Sequence, residues 1–128
     1  MKAENTDLTQ IVIGAAMQVL NNLRPGLDEK IYERALVIEL TRRGITYDQQ
    51  KSHEVFYDGQ HIGSLIPDLI VDNRLIIDSK VVSAFNDSHV AQMLGYLNIT
   101  QLKTALLLNF KYHKLGIKRV SLSDPNPQ

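Results

Sequence analysis

Apolar positions in the first third of the chain recur every three or four residues, and beyond residue 44 they gather into short runs. Leu8, Ile11, Val12, Ala15 and Val19 fall along one helical stripe, which predicts a helix over residues 8–22 with Thr6 or Asp7 as its cap. Arg24-Pro25-Gly26 stops it. A second helix is expected from Asp28 to Arg43, with Ile31, Ala35 and Ile38 beside Leu36 and Leu40 as its apolar stripe. Gly44 suits the left-handed position after the helix end. Past Gly44 the period changes. Ile45 to Tyr57 reads as one strand or two short ones, and Asp58-Gly59 is a hairpin signal. Strands follow over Gln60–Val71 and Leu75–Val82, with a turn at Asp72-Asn73. Asn86-Asp87-Ser88 caps a helix over His89–Leu97, Lys103–Asn109 reads as a buried strand and Ile117–Leu122 as the last one. The order is α-α-β-β-β-α-β-β, an α/β class with a mixed sheet flanked by helices. The helix after the third strand crosses to the fourth, so that pair is expected to be parallel. The tail, Ser123-Asp124-Pro125-Asn126-Pro127-Gln128, is expected to be loose.

The chain has 128 residues, 44% of them hydrophobic, so one domain over 1–128 is expected, with its core over 8–122. It has no cysteine, which excludes disulfides, iron–sulfur clusters and thiolate zinc sites. The polar, acidic start is unlike a signal peptide, and the longest apolar runs, such as Ala105-Leu106-Leu107-Leu108, are too short to span a bilayer. A soluble cytoplasmic protein with no membrane partner is the expectation. Formal net charge is zero, which argues against coating nucleic acid by bulk electrostatics but leaves room for basic groups beside an acidic site.

The two central strand segments carry charge where burial is expected. Ile66-Pro67-Asp68-Leu69-Ile70-Val71 holds Asp68, and Leu75-Ile76-Ile77-Asp78-Ser79-Lys80 holds Asp78 and Lys80. Charge in a buried strand is costly unless paired or bound to metal. Side chains alternate across a strand, so Asp78 and Lys80 share a face. A three-residue loop, Asp72-Asn73-Arg74, pairs Val71 with Leu75 and brings Asp68 opposite Asp78, and a two-residue loop would shift the register and separate them. Facing carboxylates repel, and a divalent cation between them removes the repulsion. Mg²⁺, or Mn²⁺ in its place, accepts such oxygen ligands and keeps several waters. Asp68, Asp78 and the backbone carbonyl of Ser79 would leave room for water and a phosphate oxygen. Lys80 would orient the attacking water or stabilise developing negative charge. The bare acidic-x-Lys pattern is weak, since Asp28-Glu29-Lys30 repeats it. An Asp–Lys ion pair that only fixes strand register is the competing reading.

Gly26-Leu27-Asp28-Glu29-Lys30-Ile31-Tyr32 follows the first helix. The Asp58-Gly59 hairpin, Asp68-Leu69-Ile70-Val71, Asp78-Ser79-Lys80, the helix Val90-Ala91-Gln92-Met93-Leu94-Gly95-Tyr96-Leu97 and Leu107-Leu108-Asn109-Phe110 come next in the chain. In this order the chain resembles the Gly-x-x-Glu-x-x-Tyr family, a branch of the PD-(D/E)xK nuclease superfamily, over residues 8–120. The resemblance implies a restriction-endonuclease-like core. It departs from the family at Asp78-Ser79-Lys80, where Glu-Leu-Lys is the commoner form. It also implies that Glu29 joins the metal site from the second helix, with Tyr32 as an accessory on the same helix face. Gln92 would touch the attacking water or Lys80. The bland readings are a first-turn glutamate favoured by the helix dipole, a core tyrosine with a wet hydroxyl, and a helix amide bonded to backbone. Glu33 reads as solvated or salt-bridged and stays outside the site.

His53, His61, His89 and His113 lack metal-ligand spacing and read as surface or phosphate contacts. Lys111, His113, Lys114, Lys118 and Arg119 form a basic segment that reads as a solvated face. The functional expectation is a Mg²⁺-dependent nuclease acting on DNA. The alternatives are a nuclease-fold module that binds nucleic acid or protein without useful catalysis, and a structural partner or homodimer.

Overall fold

The computed structural model describes residues 5–122, and the tail from Ser123 lies outside them. Among the described residues the elements run α1 (Asn5–Leu23), α2 (Glu29–Arg42), β1 (Tyr47–Gln49), β2 (His53–Tyr57), β3 (Gln60–Leu65), β4 (Leu69–Val71), β5 (Leu75–Lys80), α3 (Asp87–Thr100), β6 (Thr104–Asn109) and β7 (Gly116–Ser121). A five-stranded sheet has the order β1-β4-β5-β6-β7, and β2–β3 form a separate hairpin. β5 and β6 are parallel, joined by α3 as the crossover, and the other pairs of the sheet are antiparallel. This is the mixed α/β architecture expected from the sequence.

Burial explains the strand sequences. One face of the sheet packs Leu69, Val71, Leu75, Ile77, Leu106 and Leu108 against Val12, Ala15, Val19, Leu36 and Leu40 of α1 and α2. The other packs Ile70, Ile76, Ala105 and Leu107 against Met93 and Leu97 of α3. β5 and β6 are covered on both faces, so they read as continuous apolar runs rather than alternating ones.

The antiparallel register of β4 and β5 pairs Val71 with Leu75, Ile70 with Ile76 and Leu69 with Ile77, as a three-residue loop requires. Asp72 (φ 52°) and Asn73 (φ 55°) take left-handed backbone in that loop. Gly44 is left-handed too (φ 71°), and the Ile45 N–H returns to the Leu40 carbonyl at 2.9 Å, closing α2.

Residues 45–57 form two short strands, one of the two forms expected. Other local expectations change. The segment 60–71 breaks at Ile66-Pro67-Asp68. Proline has no N–H to continue a ladder, so β3 ends before it and the hairpin leaves the main sheet. On α2, Ile31 and Ile38 are exposed, and the core-facing stripe is Tyr32, Leu36 and Leu40. Asp7 lies within the first turn of α1 rather than capping it. β5 ends at Lys80 rather than Val82, and α3 extends from Asp87 to Thr100 with Asn86 as its cap.

Candidate metal centre

Three separate local structures deliver three carboxylates to one point. Glu29 is the first residue of α2, after a turn in which Arg24 (φ 66°) and Gly26 (φ 115°) have left-handed backbone. Tyr32 holds that turn. Its hydroxyl accepts the Leu27 N–H at 3.1 Å and donates to the Arg24 carbonyl at 2.6 Å. Its buried ring stacks on Phe110, with centroids 4.8 Å apart. Tyr32 is therefore a core aromatic whose hydroxyl is used by backbone, and its bearing on the site is to fix where Glu29 begins. Asp68 ends the Pro67 break, one step beyond the β4 ladder. Asp78 and Lys80 lie on β5, where Asp78 pairs in register with Leu107 and Lys80 with Asn109 of β6.

Carboxylate oxygens of Glu29, Asp68 and Asp78 lie within 4.8 Å of one another. The Lys80 Nζ stands 3.2 Å from Asp78 Oδ2, and its side chain is 15% exposed. Three carboxylates thus face one ammonium. Burial, reinforced by a hydrogen bond shared with Asp68 and by its charge, pushes the Asp78 carboxyl up to about 7 against the opposing pull of Lys80. Burial also raises Glu29, with Asp68 adding to the effect and Lys80 countering it. An all-oxygen donor set with surplus negative charge, partly desolvated, fits a hard divalent cation such as Mg²⁺ or Mn²⁺. Ser79 is buried between Asp78 and Lys80, paired in register with Leu108.

Gln92 is exposed on α3 and donates from Nε2 to the Tyr96 hydroxyl at 3.1 Å, neither to Lys80 nor to backbone. Tyr96 was not a candidate from the sequence. Burial first, then the carboxylates of Asp78 and Asp68, hold its hydroxyl above the usual tyrosine range, so it stands in the field of the acidic cluster. The signal available was the four-residue spacing of Gln92 and Tyr96, which puts both on one helix face. Glu33 is buried rather than solvated, 3.5 Å from the Lys30 Nζ, and accepts from Gln49 Nε2 at 3.0 Å.

The histidines have other duties. His89 Nδ1 accepts the Asn86 N–H at 3.1 Å in the cap of α3, and His61 pairs with Glu54 at 2.6 Å on the β2–β3 hairpin. Asn109 braces the exit of β5: its amide donates to the Val82 carbonyl at 2.7 Å and accepts the Val82 N–H at 3.1 Å. Phe110 N–H reaches the Lys80 carbonyl at 2.9 Å beside it. Among the described residues no helix is long and apolar enough to cross a membrane.

A protein-family profile for the PD-(D/E)XK nuclease superfamily matches residues 6–120, and the chain belongs to that superfamily. No curated protein and no solved structure gives a significant match.

Proposed function

We propose that this superfamily member is a single-domain, Mg²⁺- or Mn²⁺-dependent nuclease of the Gly-x-x-Glu-x-x-Tyr branch that hydrolyses phosphodiester bonds of DNA. The observation that carries the reading is the convergence of Glu29, Asp68 and Asp78 within 4.8 Å, with Lys80 3.2 Å from Asp78. Asp68 and Asp78 would hold the cation, with Glu29 and the Ser79 carbonyl completing its protein ligands. When bound, the cation supplies a water of lowered pKa and neutralises charge on the phosphate. Lys80 remains in reach of the same point to orient that water and to stabilise charge developing on phosphate oxygens. Gln92 and the Tyr96 hydroxyl form a polar wall on α3 that can position the water or a phosphate oxygen. Superfamily membership supports nucleic acid as the substrate class.

The test is incubation of the purified chain with supercoiled plasmid and with a single-stranded oligonucleotide, in Mg²⁺, Mn²⁺ or EDTA. Cleavage that requires metal and disappears in both Asp78→Asn and Lys80→Ala is the expected result. Retained DNA binding with no cleavage under any metal would make the chain a binding module and end the nuclease reading.

A further inference from the structure

Two consecutive glutamines at the end of β1 reach opposite ways. Gln49 pairs with Leu69 on β4 and extends its amide to Glu33 on α2, 3.0 Å from Oε2. Gln50 follows with φ 55°. Its backbone N–H donates to the Asp68 carbonyl at 3.1 Å, and its side-chain Nε2 lies 3.4 Å from Asp68 Oδ1. Gln49 is still in the β1 ladder, and the left-handed backbone at Gln50, just past the strand, turns the next side chain to a different partner.

Both ends of this arrangement are unfavourable taken alone. Gln50 holds a left-handed backbone that glycine would adopt without strain. Glu33 is 2% exposed, and its Oε1 finds no hydrogen-bond partner among the described residues, only the Lys30 ammonium at 3.5 Å. Burying a carboxylate so poorly satisfied is costly. Strain and incompletely paired buried charge gather where geometry is constrained for a use. The use lies at the two ends of the link. Glu33 is one helical turn beyond Glu29, and Asp68 is the residue that Gln50 grips.

We propose that Gln49 and Gln50 act as a clamp that sets the separation between Glu29 and Asp68, and so the geometry of the metal centre. They are positioning residues: Gln49 fixes α2 through Glu33, and Gln50 fixes the Asp68 carboxylate from the sheet side. The inference rests on the metal-centre reading above.

Gln50→Gly separates the clamp from a purely structural role. It relieves the backbone while deleting the amide over Asp68. Its melting temperature in EDTA is expected to equal or exceed that of the wild type, while its Mn²⁺ affinity by calorimetry falls about tenfold, the scale of losing a partner that orients a ligand. Stability and affinity moving in opposite directions is a signature that a fold residue does not give. A Gln50→Gly protein with wild-type Mn²⁺ affinity overturns the clamp and leaves the metal centre standing. One that loses affinity only together with several degrees of stability overturns it as well. A wild type that binds no Mn²⁺ ends the metal-centre reading itself and takes the clamp with it.

Discussion

The β4–β5 hairpin carries an acidic residue and a basic one near each end, and the two ends behave differently. At the loop, Arg74 donates from Nε at 3.1 Å and from Nη2 at 2.8 Å to Asp72 Oδ2, and both side chains keep contact with water. A base and an acid pair directly there, within reach of solvent. At the far end Lys80 sits 3.2 Å from Asp78, but Asp68 and Glu29 crowd the same point and Asp78 is only 5% exposed. The loop pair is a surface ion pair worth a fraction of a kilocalorie. The other end is a charge excess with Asp78 buried and Glu29 and Asp68 half-buried, and burial together with the neighbouring carboxylate raises Asp78 and Glu29. An acid and a base two residues apart therefore carry little meaning alone. The surplus of carboxylates and their burial distinguish a centre from a pair.

The largest effect should come from Asp78→Asn. Saturable Mn²⁺ binding and metal-dependent cleavage are both expected to vanish, by calorimetry and plasmid assay. The sign of the stability change follows from Asp78. Its folded-state value, about 7, lies above the unfolded one, so its stabilising contribution is complete below the unfolded value and is lost as pH rises through about 7. In EDTA at about pH 8, Asp78→Asn should melt a few degrees above the wild type, about 1 kcal/mol or more, and the gap should narrow as pH falls below about 7 and close only at about pH 4. A mutant several degrees less stable at the higher pH would mean that the Lys80 ion pair outweighs the repulsion, and would restore the structural reading. The same titration governs the metal. Mn²⁺ must displace the proton, so affinity should climb about tenfold per pH unit below about 7 and flatten above it. A pH-independent affinity would remove Asp78 from the ligand set.

Tyr32→Phe should act next. It removes both hydroxyl bonds to the turn before Glu29, at about 1–2 kcal/mol of stability by denaturant titration. Mn²⁺ binding should weaken several-fold, because Glu29 loses its anchor. Unchanged metal affinity would place Glu29 outside the centre. The smallest effect belongs to the loop: Asp72→Asn should change stability by less than about 1 kcal/mol and leave Mn²⁺ binding untouched. If it weakened binding as Asp78→Asn does, the distinction between the two ends would collapse.

Much of this contrast was legible in the chain. The loop Asp72-Asn73-Arg74 set the register, and the register put Asp68 one step beyond the ladder opposite Asp78. Local patterns also gave the two N-terminal helices, the α3 crossover and the buried β6. Less legible were features decided by contacts between distant segments. α2 carries two overlapping apolar stripes, and the one with Tyr32 faces inward because that ring stacks on Phe110. Glu33 reads as solvated or salt-bridged; the Lys30 pair is present, but its burial and the bond from Gln49, 16 residues away, depend on the fold. Tyr96 joins the acidic field only because α3 packs across the β5 face that bears Asp78. The hairpin's departure from the sheet was written at Pro67, though a continuous apolar pattern masked it.

The most direct test of the metal centre is anomalous scattering from a crystal of the wild-type chain soaked in Mn²⁺. One strong peak is predicted, about 2.1 Å from carboxylate oxygens of both Asp68 and Asp78, with Glu29 in the same coordination sphere. A soaked crystal with manganese bound elsewhere, or with Lys80 and Asp78 paired and no peak beside them, would contradict the account.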